Sequence, residues 1–403
     1  MSERVIKPVG RGFLFLDSHP AGCARLVRDL AGGVERRTAE RRTALVIGSS
    51  SGYGLATTIA GLARYGVDGV GVAFEKAATP RRTATAGWYR TAETAALAAE
   101  LGRSFAFINA DAFADTTKTE VLDLIAERFG GIDHLIYSVA APRRVDPRTG
   151  ETYQSAIKAI GAPTTTKSLA YDDGSPVLQE VGIEAATEDE IAQTVKVMGG
   201  EDWARWVTAL QERGLLRDGF STVSLTYIGS ELTGPIYRQG SIGAAKADLE
   251  QAALTLSKNG VRALTSVNGA AVTQASSAIP GIGLYLSLLR KVLGADWQTP
   301  MQQSIALWDQ LTGATPLDLD DEGRIRLDRW ELADDVQASV RHAWESARAE
   351  NVAEVADTAW FFTEVRRLYG FDVPTVDYEA PTEVDVPWPH SPVHSPRFDR
   401  RQT

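Results

Sequence analysis

Ala44-Leu-Val-Ile47 runs straight into Gly48-Ser-Ser-Ser-Gly52-Tyr-Gly54, and the residues beyond it, Leu55–Tyr65, carry a helical pattern. A short apolar run, a glycine-rich turn and a helix, in that order, specify a buried strand that feeds a helix through a tight bend. Glycine at 48, 52 and 54 lets the backbone turn sharply and leaves room for a second molecule to approach. A pyrophosphate placed there would meet the positive end of the helix. Ser49, Ser50 and Ser51 add hydroxyl donors. The lesser alternative, a glycine-rich turn that merely connects strand to helix, is weighed against the rest of the chain.

Further apolar runs recur at Gly69–Phe74, Ser104–Ile108, His134–Tyr137, Thr222–Tyr227 and Arg262–Val267, with helical patterns at Thr91–Leu101 and Lys118–Phe129 between the early ones. Strand and helix in alternation imply right-handed crossovers and a parallel sheet covered on both faces. The fold class is therefore α/β, a doubly wound parallel sheet of the nucleotide-binding kind. The core is expected at about 43–141 and 220–274. Residues 142–219 form an insertion with turn-rich Arg143–Gly150, a loop at Thr164–Thr166 and a helix at Glu188–Met198. A helical extension, 275–386, has patterns near Leu284–Leu293, Met301–Leu311 and Ala333–Glu350, and a polar tail, 387–403, follows. Because strands of one sheet flank the insertion, the 403 residues read as a single elaborated domain.

With 44% hydrophobic residues the chain can bury a large core, and its formal charge of −10 argues against nucleic acid as a partner. A single cysteine, Cys23, forms no internal disulfide, in keeping with a reducing cytoplasm. Phe13-Leu-Phe-Leu16 is far short of the ~7–15-residue apolar core of a signal peptide. No stretch approaches the ~18 apolar residues of a membrane span. The expectation is a cytoplasmic protein without a membrane span. His390 and His394 fall in the polar tail, and no metal role is assigned to them.

Tyr237-Arg-Gln-Gly-Ser-Ile-Gly-Ala-Ala-Lys246 carries the chemistry. On one continuous helix, nine positions rotate by about 900° and place two side chains on opposite faces. Tyr237 must therefore precede the helix that carries Lys246, with Gly240 as the break and Ser241 as the expected N-cap. A phenol with an ordinary pKa of about 10 gives up its proton more readily beside a cation, and Lys246 supplies one that can also hold a nicotinamide ribose. Tyr227 either hydrogen-bonds a thioester carbonyl or is an ordinary strand aromatic. Glu75 ends the second strand, where such folds bind the adenosine ribose hydroxyls, which favours NADH over NADPH; neighbouring Lys76, Arg81 and Arg82 weaken that preference. Asp111-Ala112 either accepts from an adenine amino group or begins a helix. Ser138, Val139 and Ala140 are small enough for a cofactor to lie against the backbone.

These segments resemble the FabV-type enoyl-acyl-carrier-protein reductases and the related trans-2-enoyl-CoA reductases. The likeness is carried by Gly48–Ala56, Phe74-Glu-Lys76, Ala86-Gly-Trp-Tyr89, Tyr137–Arg143, Val195-Lys-Val-Met-Gly-Gly200, Tyr227-Ile-Gly229, Ser241–Lys246 and Val272–Pro280. It extends from Ile6-Lys-Pro8 to Gly370-Phe-Asp372, and the Tyr-x8-Lys spacing is characteristic of that family. The resemblance implies a monomer that uses NADH to reduce the C2–C3 double bond of a trans-2-enoyl thioester on acyl carrier protein or coenzyme A, in fatty acid biosynthesis. It implies Tyr237 as proton donor, Tyr227 on the substrate, and NADH held by Gly48, Ser49, Ser50, Ser51, Gly52, Tyr53, Phe74, Glu75, Asp111, Ala112, Val139, Ala140, Lys246, Val272, Thr273 and Gln274. Many members carry a second lysine after the first, where this chain has Ala247. Two other readings share the cofactor logic: a short-chain-type carbonyl or alcohol dehydrogenase, which the spacing disfavours, and a catalytically idle NAD(H)-binding regulator, against which the retained Tyr237 and Lys246 weigh.

Overall fold

The computed structural model describes residues 3–37, 40–172 and 175–389, so His390 and His394 lie outside the described residues. Seven strands make the central sheet: β1 (Thr43–Ile47), β2 (Asp68–Ala73), β3 (Phe105–Asn109), β4 (Ile132–Tyr137), β5 (Leu216–Thr226), β6 (Arg262–Val267) and β7 (Ile325–Arg326). Their order is β7-β6-β5-β4-β1-β2-β3, and every pairing is parallel. The chain starts in the middle, winds outward to β3, then returns to β4 on the other side of β1. The gap between β1 and β4 is therefore the topological switch point, where a crevice opens at the carboxyl ends of the strands.

Central strands of a sheet covered on both faces are apolar throughout, and β1 is buried at all five positions. Its side chains alternate between two cores. Leu45 and Ile47 join Val70, Val72, Leu135, Trp203 and Trp206 on one face, while Val46 joins Ile136, Val223 and Leu307 on the other. The crossover helices are α1 (Gly52–Ala60), α2 (Ala86–Glu100), α3 (Asp115–Arg128), α4 (Glu188–Met198), α5 (Glu201–Glu212) and α6 (Ser241–Lys258). In the extension come α7 (Ile282–Leu293), α8 (Pro300–Leu311), α9 (Asp334–Ser346) and α10 (Thr358–Arg367).

Thr164–Thr166, expected as a loop, is the start of a strand, Thr164–Asp172, paired antiparallel with Ser175–Ile183. β-branched threonine suits a pleated surface, and the cross-strand partners Val181 to Ile183 complete the ladder. Arg143–Gly150 contributes a short strand, Arg143–Val145, to a second hairpin with Thr152–Gln154. In Val195–Gly200 the glycines serve packing: a Cβ on Gly200 would lie 2.2 Å from the Ala252 methyl of α6. β7, in the extension, carries no pattern of its own. It adds only two residues to the sheet edge beside β6. The extension docks on the core through Trp308, whose indole N–H donates to Thr57 O at 2.8 Å over Gly61.

Candidate active site

The glycine loop sits at the switch point and is pressed against β4. Gly48 has φ +86°, and a Cβ there would lie 1.9 Å from Ser138 O; one on Gly54 would lie 2.0 Å from Gly48 O. Only glycine fits such contacts. The N-cap of α1, Ser51, makes no side-chain cap, so the first-turn N–H groups face outward from the helix end. This cradle fits a dinucleotide pyrophosphate. The serine hydroxyls contribute less than expected, because Ser50 Oγ donates to Glu75 Oε1 at 2.6 Å and Ser49 Oγ is directed at Val72 O. Ser49 N–H also donates to Val72 O, at 3.1 Å, so what remains for a ligand here is the backbone of Ser50.

Glu75 follows β2 and is locked on both sides by Asn109, which accepts from its N–H at 2.7 Å and donates to its carbonyl at 3.0 Å. Its carboxylate accepts from Ser50 and Thr85 and lies over Gly87 at the start of α2. Phe74 beside it is 77% exposed, an unusual position for a phenylalanine at a strand end. Asp111 does not cap α3, whose N-cap is Ala114; its carboxylate accepts from Phe113 N–H at 3.0 Å instead. That loop is stapled from below by buried Lys118, which donates to Ala112 O, Phe113 O and, at 2.8 Å, Asp202. Tyr137 donates to the other oxygen of Asp202.

Tyr53, Val139, Ala140, Tyr227, Tyr237, Lys246 and Thr273 all line one cavity of about 150 Å³, continued by the apolar wall of Ile279, Ile282 and Leu286. Gly48, Ser49, Ser50, Ser51, Gly52, Phe74, Glu75, Asp111, Ala112, Val272 and Gln274 lie outside it. Gly48 to Gly52 form the loop at the switch point itself, and Phe74, Glu75, Asp111 and Ala112 follow the next two strands along the carboxyl edge, where an extended cofactor would run.

Tyr237 sits in the turn before α6, as the spacing requires. The break differs in detail: Gly240 is the N-cap, and Ser241 Oγ donates to Ala156 O in the insertion rather than capping the helix. Ser241 N–H donates to Lys158 O, and Arg238 grips Glu250 on α6 with two bonds of 2.9 and 3.0 Å. These contacts fold the turn back over the helix, which brings Tyr237 and Lys246 to the same cavity.

Burial first, and then the charge of Glu331, push the Tyr237 phenol far above its ordinary range, so it enters any reaction protonated. Burial lowers the Lys246 ammonium to about 8, against the opposing pull of Glu250. Ala247 is exposed, so the second lysine of many family members would point to solvent here and not into the cavity.

Sequence reasoning missed Glu331 and Tyr285. Glu331 is fully buried and accepts from Tyr227 O–H at 2.7 Å, Tyr285 O–H at 2.7 Å and Ala270 N–H at 2.5 Å. Burial raises its carboxyl to about 7 even though these donors favour the charged form. Nothing local in Trp330-Glu-Leu-Ala distinguishes it from a surface glutamate.

Three family models together span most of the chain. Residues 82–312 match the trans-2-enoyl-CoA reductase catalytic region, 5–80 its NAD(P)H binding domain, and 319–382 a region described as the enoyl reductase FAD binding domain. An enoyl-[acyl-carrier-protein] reductase [NADH] of Streptomyces avermitilis is 62% identical over 394 residues, covering 96% of this chain and all of that one. A trans-2-enoyl-CoA reductase [NADH] of Clostridium perfringens is 42% identical over 391 residues, 95% of this chain and 99% of its own. The crystal structure of Clostridium acetobutulicum trans-2-enoyl-CoA reductase in complex with NADH superposes with a TM-score of 0.89 at 34% identity, covering 94% of this chain and 98% of that one. The third family description names FAD, whereas both relatives are named for NADH and that crystal structure is a complex with NADH.

Proposed function

The chain belongs to the family of NADH-dependent trans-2-enoyl-CoA and enoyl-acyl-carrier-protein reductases, and on that premise we propose that it reduces the C2–C3 double bond of a trans-2-enoyl thioester. The observation that carries the reading is the convergence of Tyr237, Lys246 and Tyr227 on one cavity with an apolar far wall, beside the glycine cradle at the switch point. When bound, NADH supplies the hydride that adds to C3. The cradle Gly48–Gly54 holds its pyrophosphate, Glu75 its adenosine ribose, Asp111 and Ala112 its adenine end, and Val139, Ala140 and Thr273 its nicotinamide end.

Tyr237 is the acid. Its phenol is protonated and faces the cavity, and it delivers the proton that the reduced thioester takes up at the end of the reaction. Lys246 holds a positive charge in the same space, which stabilises the phenolate left behind and the negative charge that develops on the thioester oxygen. Tyr227 holds that oxygen. Ile279, Ile282 and Leu286 receive the acyl chain and keep water from it.

The insertion and extension pack into one apolar cluster with Tyr237, including Leu169, Ile183, Ile282 and Phe361. This packing supports reading the described residues as one elaborated domain. The function proposed for it is that of a cytoplasmic monomer acting on thioesters of acyl carrier protein or coenzyme A in fatty acid biosynthesis. Among the described residues no helix is long and apolar enough to cross a membrane.

The test is NADH oxidation with crotonyl-CoA by the parent and by Tyr237→Phe. No protein group accepts a hydrogen bond from the Tyr237 hydroxyl among the described residues, so the substitution leaves no polar partner stranded and stability should change by less than ~0.5 kcal/mol. Turnover should fall ~10²-fold or more with NADH binding intact. A parent that consumes no NADH, or a phenylalanine variant as fast as the parent, defeats the proposal.

A further inference from the structure

We propose that Glu331 is a positioning residue that decides where the Tyr227 hydroxyl donates, so that Tyr227 holds the substrate's carbonyl oxygen only while Glu331 carries a proton. The proposal rests on the reductase reading for its substrate and on hydrogen-bond counting for its logic.

A phenol has one proton to donate. In the arrangement described above, Tyr227 and Tyr285 both donate to the same oxygen, Oε1 of Glu331, and Ala270 N–H donates to Oε2. With Glu331 ionised, Tyr227 therefore presents only lone pairs to the cavity. A thioester carbonyl is itself an acceptor and finds no donor in Tyr227.

One added proton changes the count. Oε2 faces an N–H and must remain an acceptor, so the proton sits on Oε1 and is donated to a tyrosine oxygen. When it is donated to Tyr227, that residue's own proton is released toward the cavity. Tyr285 is fully buried and already accepts from Gln337 Nε2 at 3.1 Å, whereas Tyr227 lines the cavity, so a bound carbonyl selects the state in which Tyr227 is the one released. Tyr227 also packs edge-on against Tyr237, with ring centroids 5.1 Å apart, so the donor is set beside the acid.

The surroundings make the proton exchangeable. No lysine or arginine among the described residues pairs with Glu331, whose carboxyl burial raises to about 7. The titratable groups facing it are Tyr53 on α1, Tyr227 after β5, Tyr237 before α6, Tyr285 on α7 and Asp328 on its own segment. The four phenols are all held above their ordinary range, and Asp328 is paired with Arg326 at 2.7 Å. Glu331 is left as the group that titrates near neutrality, with Lys246 following at about 8.

The experiment is the pH profile of kcat/KM for crotonyl-CoA at saturating NADH in the parent, Glu331→Gln and Tyr285→Phe. The parent should lose up to about tenfold per pH unit above neutrality, because the competent form is the protonated one. In Glu331→Gln the amide donates at every pH, so that limb should vanish and only the later one, from Lys246, remain. Tyr285→Phe removes one donor to the carboxylate and should move the limb upward by ~0.5–1 pH unit. A neutral limb that survives in Glu331→Gln, or that does not move in Tyr285→Phe, overturns the proposal; if Glu331→Gln does not fold, the tyrosine variant decides alone. Infrared difference spectra of the free protein between about pH 6 and about pH 8 give a readout apart from turnover: a carboxylic acid band that titrates together with a tyrosine C–O band, the latter lost in Tyr227→Phe. Absence of that coupled change overturns the Glu331 proposal, while a parent inert toward crotonyl-CoA but showing it overturns the reductase reading alone.

Discussion

Replacing Glu75 with glutamine should open the enzyme to NADPH. The carboxylate is fixed: Asn109 clamps its backbone on both sides, Ser50 and Thr85 donate to its two oxygens, and Gly87 leaves it just enough room at the start of α2. A 2′-phosphate in place of the ribose hydroxyl brings about 1.5–2 negative charges to within ~4 Å of that site. Each unit pair at that distance costs about 1 kcal/mol in water and about 4 kcal/mol near a protein surface of effective dielectric 20. For a half-buried carboxylate, screened by solvent and offset by the positive end of α2, roughly 2–4 kcal/mol is expected, or about 30- to 700-fold. Glutamine keeps the shape: its oxygen accepts from Ser50, its amide donates to Thr85, and the threonine proton can turn to Lys76 O. The assay is kcat/KM for NADPH and for NADH with crotonyl-CoA. The value for NADPH should rise by that factor, and the NADPH-to-NADH ratio by a further roughly fivefold, because the NADH ribose loses a charged acceptor. Gly87→Ala is the companion: a Cβ there would lie 2.0 Å from Glu75 Oε1, so it should displace the carboxylate and weaken NADH without admitting NADPH. A ratio unchanged within about threefold in Glu75→Gln would place the discrimination elsewhere, with exposed Lys76, Arg81 and Arg82 as the candidates.

Two further outcomes test other links. Trp308→Ala should cost about 3–5 kcal/mol, because an indole 1% exposed leaves a cavity over Gly61 and takes away one of the two donors to Thr57 O, the other being Gly61 N–H; urea unfolding should stay a single transition, and two separated transitions would refute the single elaborated domain. Lys246 is a charge held at a penalty: burial lowers it from 10.5 to about 8. Between those values the unfolded chain keeps a proton that the folded chain has lost, so this group's contribution to stability rises with pH across that window. At pH 7 the penalty is roughly 3 kcal/mol, so Lys246→Met should be more stable by about 2–3 kcal/mol while losing most turnover, and equal stability in urea at pH 7 would refute the argument.

The strands and helices that place the cofactor were legible because their signals are local. Six of the seven strands appear as apolar runs, and the glycine spacing after β1 requires a backbone approach that only one arrangement of strand, turn and helix provides. The nine-residue separation of Tyr237 and Lys246 was likewise enough to put the tyrosine before the helix. Where local reading failed, longer-range contacts had overridden it. Ser241 gives up its cap to reach Ala156, 85 positions away, and Thr164–Thr166 becomes strand because a partner strand closes against it. β7 exists only because β6 offers it an edge.

By itself the sequence determined the alternation that builds a doubly wound sheet, the position of its phosphate cradle, and the residue types available to move a proton. Tertiary structure alone decided which side chains share the cavity. Glu331 reaches Tyr227 across 104 positions, Tyr285 across 46 and Ala270 across 61. Periodicity encodes whether a segment is helix or strand, because that depends on neighbours a few residues away. The burial of a carboxylate among three loops depends instead on how whole elements pack, and no short window of sequence carries that information.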